Sequence, residues 1–80
     1  MSNIIKKNKF MITYYVLKSS EFNYEIVDST THEIDSNGKL VKRDEPIFIM
    51  CRPLVSWDYD EILKIVEELE FGEYRKLGTI

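Results

Sequence analysis

Two stretches of this 80-residue chain are apolar in both phases of a period-two repeat, and that surplus limits what the chain can fold into. Phe10, Ile12, Tyr14 and Val16 alternate with Met11, Tyr15 and Leu17, while Phe48 and Met50 alternate with Ile47, Ile49 and Cys51. Strands of this kind are covered on both sides in a folded protein. The chain offers one helix to do the covering: Tyr59, Ile62, Leu63, Val66 and Leu69 form an apolar stripe at helical spacing, widened by Ile65. A helix of about 13 residues is roughly 20 Å long, enough for one face of a small sheet and not for two. The second face needs either a sheet coiled on itself like a small barrel or a partner.

The remaining elements follow from turn chemistry and alternation. Phe22, Tyr24 and Ile26 alternate with Asn23 and Glu25 and predict a strand with one wet face, joined to the first by a short hairpin connection. Asn37-Gly38 predicts a two-residue type I′ turn, which would set Ile34 opposite Val41 and Glu33 opposite Lys42. Thr30–Asp35 either continues the second strand or begins a new one after a turn at 28–31. Pro46 introduces Ile47–Cys51, whose continuous apolar run predicts a central strand. Asp58 and Glu61 have the spacing of a helix-start capping box, Ser56 being the competing cap, and Gly72 marks the helix end. Tyr74–Leu77 is read as one further helical turn. The fold class is therefore α+β, an antiparallel sheet of about four strands followed by one C-terminal amphipathic helix (ββββα). Residues 1–80 form a single domain, with 1–8 a flexible N-terminal tail.

Composition supports a folded chain, with 44% hydrophobic residues, 31% charged residues and only two prolines and three glycines. No apolar run is long enough to span a bilayer, Met1–Lys9 lacks the apolar segment of a signal peptide, and the one cysteine cannot form an internal disulfide. A cytoplasmic location is the expectation. The net charge of −3 is unevenly placed: residues 1–20 hold four lysines and no acid, whereas 53–80 hold seven acids and three bases. With Lys6, Lys7 and Lys9 as the one concentrated basic stretch, a nucleic-acid backbone is a disfavoured partner.

Catalytic and metal-binding chemistry is not expected. Cys51 lies in the most apolar segment, where a free thiol behaves as a small hydrophobe, and His32 sits beside the hairpin as a surface residue. The sequence has no Gly-rich phosphate loop, CxxC, HExxH, GxSxG or calcium-loop pattern. We expect no cofactor, no metal and no catalytic residues. The acids Glu67, Glu68, Glu70 and Glu73 are a candidate docking face, weighed against the ordinary solvated side of an amphipathic helix.

The functional expectation is a small non-catalytic protein-binding module whose partner-binding residues are Met11, Tyr15, Leu17, Phe48 and Met50, acting on a protein partner or a second copy of the chain. Ala and Gln are absent, and Ile, Lys, Asn, Tyr, Phe and Met supply 34 of the 80 residues. Those residue types have AT-rich codons. That bias and the small size suit a phage- or mobile-element-encoded inhibitor of a host protein, of the anti-CRISPR or anti-restriction kind. The alternatives are a nucleic-acid-binding domain using the N-terminal lysines and tyrosines, or a self-associating structural domain.

Overall fold

The computed structural model describes residues 11–50, 52 and 54–80. It is an α+β fold with the element order β1 (Thr13–Lys18), β2 (Tyr24–Asp28), β3 (His32–Ile34), β4 (Leu40–Lys42), α1 (Tyr59–Glu68) and β5 (Tyr74–Thr79). The strands form two antiparallel sheets, one of three strands in the order β2-β1-β5 and one hairpin of β3 and β4. The expected tail at 1–8, the lysines 6, 7 and 9, Phe10 and Cys51 lie outside the described residues.

The first apolar stretch forms the central strand, and its two phases separate. Ile12, Tyr14 and Val16 are buried, whereas Tyr15 and Leu17 are half-buried and Met11 is exposed. Val16 is fully enclosed against Ile62 and Leu69 of the helix region, with Tyr24, Trp57, Ile65, Val66 and Leu77 packed around that cluster. The helix therefore covers the even face of β1. Asp58 caps α1, its side chain accepting a hydrogen bond from the Asp60 amide at 2.9 Å. Trp57 and Ile62 flank that cap at the spacing of a hydrophobic staple and both join the core, which fixes the angle at which the chain enters the helix.

Two expectations about strands are corrected. Tyr74–Thr79 is a strand, not a further helical turn. Gly72, at φ +89°, turns the chain after the helix and donates its N–H to the Lys18 carbonyl at 2.9 Å, and the following residues zip along β1. Lys18 Nζ reaches the Leu69 carbonyl at 3.0 Å, placing a positive charge at the helix C-terminus where the backbone dipole favours it. The second correction is that Ile47–Met50, read from sequence as most of a central strand, is irregular chain. Both sides of β1 are taken by β2 and β5, so no central slot remains for it.

The second hairpin also differs from its expected form. Gly38 has φ +82°, but Asn37 does not have the positive φ that a type I′ turn requires. The loop is one residue longer: Asp35 and Lys39 close it with a backbone bond of 2.8 Å, and Gly38 N–H donates to the Asp35 carbonyl at 3.0 Å. The Asp35 carboxylate accepts from the amides of Asn37 and Lys39 at 2.8 and 2.9 Å, which stabilises this turn over the shorter one. The register slips accordingly, so that Ile34 faces Leu40 and Glu33 faces Val41. The slip joins two apolar side chains on one face and brings Arg43 to Glu33 on the other at 3.2 Å. A turn at Ser29–Thr31 separates β2 from β3, with Thr31 N–H bonded to the Asp28 carbonyl at 3.2 Å.

Candidate interaction surface

The segment between β4 and α1 is tied to the corner between β2 and β3 at two points. Ile47 N–H donates to the Thr30 carbonyl at 2.8 Å. Five residues later the Arg52 guanidinium donates to the Thr30 hydroxyl at 3.0 Å and pairs with the Asp28 carboxylate at 2.6 Å. Thr30 is a buried polar residue at this corner, and its hydroxyl and amide both donate to Asp28 Oδ1, the amide at 2.8 Å. Its polar groups are thus satisfied by the residues that hold the segment.

Burial pushes the Asp28 carboxyl up and is the largest single influence on it. The hydrogen bonds from the Thr30 hydroxyl, the Thr30 amide and Arg52, with the Arg52 charge, together outweigh burial and hold the carboxyl below its ordinary value of 3.8. The Arg52 guanidinium is correspondingly held in its charged form by Asp28. The pair is a structural clasp.

What the clasp presents is apolar. Phe48 is 83% exposed, Met50 85% and Leu54 fully exposed, with Ile47 partly so. Phe48, Met50 and Leu54 are thus largely open to solvent, although their chemistry is that of a core. The acids flanking the segment, Asp44 and Glu45 on one side and Asp60 and Glu61 on the other, are exposed and form no ion pair among the described residues.

The five residues expected to bind a partner are divided by the fold. Phe48, Met50 and, at 71% exposure, Met11 are open to solvent. Tyr15 and Leu17 lie half-buried on the sheet face opposite the helix, where Tyr15 packs edge-on against Tyr74 with ring centroids 5.7 Å apart. Tyr74 also donates its hydroxyl hydrogen to the Gly38 carbonyl at 3.0 Å, so the tip of the second hairpin reaches this side of the sheet. Part of the surplus apolar face is thereby covered from within the chain.

The acidic residues are exposed and only partly organised. Glu68 pairs with Arg75 at 2.8 Å, Glu73 accepts a hydrogen bond from the Glu70 amide at 2.8 Å, and Glu67 is exposed and forms no ion pair among the described residues. His32 is half-buried with Nδ1 2.8 Å from the Thr31 hydroxyl. No group of three or more His, Cys, Asp or Glu able to hold a metal occurs among the described residues, and no described helix is long and apolar enough to cross a membrane. An open cleft of about 420 Å³ runs between the hairpin tip at Gly38 and Lys39 and the start of β5, with Lys39, Glu73 and Arg75 among its lining residues.

Sequence reasoning missed Leu54 as part of the exposed set, Arg52 as the anchor of its segment and Trp57 as a core residue. The signal for Trp57 was its place immediately before the helix cap; Arg52 had none, because its partner Asp28 is 24 residues away. Comparison with protein-family models, with curated proteins and with solved structures found no match.

Proposed function

We propose that this domain is a non-catalytic protein-binding module whose recognition surface is the clasped apolar segment carrying Phe48, Met50 and Leu54. The observation that supports this reading most is the combination of near-complete exposure of three large apolar side chains with anchoring of the segment by the Ile47 amide and the Arg52 side chain. Isolated exposed hydrophobes are ordinary, but several within one short segment are the usual mark of a contact surface. Anchoring matters because a held segment loses less conformational freedom on binding than a free one. Phe and Met suit such a role, the first as a large rigid anchor and the second as an adaptable one.

Within this class the protein acts as an inhibitor that occupies a surface of a larger host protein, of the anti-CRISPR or anti-restriction kind encoded by phages and mobile elements. Small size and a residue bias toward AT-rich codons favour that source. The test is affinity capture from host lysate with the native protein and with a Phe48→Ser/Met50→Ser variant in parallel. A discrete protein retained by the native chain and lost by the variant is the expected result, and identical capture by both overturns the assignment of the surface.

A further inference from the structure

We propose that β2 is a self-pairing edge, through which two copies of this chain join antiparallel to make one continuous six-stranded sheet. The proposal is independent of the surface at Phe48 and Met50. Its basis is the main chain. Among the described residues, β2 is an outer strand in the order β2-β1-β5. Backbone bonds from Ser19 to Asn23 and from Ser29 to Thr13 set the phase of the β1–β2 ladder, so Glu25 and Val27 bond to β1 while Tyr24 and Ile26 direct their N–H and C=O groups outward. Those outward groups make no hydrogen bond to any described residue. What the edge lacks is therefore an extended main chain, and a neighbouring strand supplies one directly.

The two outer strands are not equivalent. β5 carries Arg75 and Lys76 and a register irregularity opposite Tyr14 and Tyr15, devices that discourage edge pairing. β2 reads Tyr-Glu-Ile-Val-Asp, with no lysine, no proline and a regular register throughout. It is the undefended edge.

Self-complementarity selects a second copy as the occupant. An antiparallel pairing centred on Ile26 sets Ile26 against the partner's Ile26, Tyr24 against the partner's Asp28 and Glu25 against the partner's Val27. No like charges face each other, although the strand holds two acids. The Ile26 side chain is 39% exposed, apolar and directed to the same face as Val16, so the two-fold axis would bury the one exposed apolar side chain of the strand against itself. The dimer also places two copies of the Phe48 and Met50 segment in one particle.

The experiment is sedimentation over a concentration series of the native chain, an Ile26→Lys variant, an Ile26→Glu variant and an equimolar mixture of the two. Partial exposure of Ile26 lets the monomer tolerate either charge, and circular dichroism checks that both variants fold. The native chain is expected to approach twice its 9.5 kDa mass as concentration rises. Each charged variant alone should weaken association by about tenfold or more, because like charges meet at the axis, and the mixture should restore it through opposite charges. A native chain that stays monomeric across the series overturns the proposal. So does a dimer unaffected by either charge, or a mixture no more associated than its folded components.

Discussion

Arg52 Nη2 lies 2.6 Å from Asp28 Oδ2, joining the strand at the edge of the main sheet to the segment that exposes Phe48 and Met50. The pair has a pH signature. The Asp28 carboxyl is held below its ordinary 3.8, so the stabilisation it gives is present above that value and is lost as pH falls through the lower, folded-state value. Asp28→Asn should remove this dependence and cost about 1–2 kcal/mol near neutral pH, a figure kept modest because the Arg52 side chain is 40% exposed. Urea melts of both proteins from pH 7 down to pH 3 measure it; parallel acid limbs would show that the clasp contributes nothing.

Tyr14 and Tyr15 are neighbours with opposite fates. Tyr14 is 7% exposed and meets Trp57 edge-on at 5.7 Å, whereas Tyr15 is half-buried against Tyr74. Tyr14→Ala should cost about 3–5 kcal/mol and Tyr15→Ala distinctly less, read as the difference in denaturation midpoints. Equal losses would place both residues in one core.

Gly38 holds the hairpin loop at φ +82°, and no atom crowds the position a Cβ would occupy. The cost of a side chain there is thus one of backbone conformation. Gly38→Val should destabilise the protein by more than about 1 kcal/mol and Gly38→Asn by less, since Asn tolerates the left-handed region. Indistinguishable melting temperatures for the two variants would refute the turn geometry.

Elements governed by local chemistry were legible in the sequence. The β1 alternation, the cap at Asp58 and most of the helix stripe depend on residues close in the chain, although Tyr59 of that stripe is 64% exposed and the helix ends at its Leu69 cap, before Gly72. The hairpin was found but misregistered by one residue, because the Asp35 carboxylate, binding two amides across the loop, favours a longer turn than Asn37-Gly38 alone suggests. The largest error concerned which segment occupies the second side of β1. Ile47–Met50 has the more strand-like composition, yet Tyr74–Thr79 takes the place because a tight turn at Gly72 delivers it there directly from the helix. That contest is one of topology, and periodicity carries no information about it. The same contest leaves Phe48 and Met50 exposed, so these two residues were visible in the sequence as candidates, whereas their setting and the exposed Leu54 were not.

Phe48 and Met50 are proposed to serve recognition and to contribute little to the fold. The most direct measurement is titration of the protein captured by the native chain, once purified, against the native chain and the Phe48→Ser/Met50→Ser variant, with the thermal melt of each recorded alongside. The melting temperature is expected to stay essentially unchanged and binding to weaken by about 2 kcal/mol or more, roughly thirtyfold in dissociation constant. A variant that binds as tightly as the native chain, or one that unfolds, would contradict it.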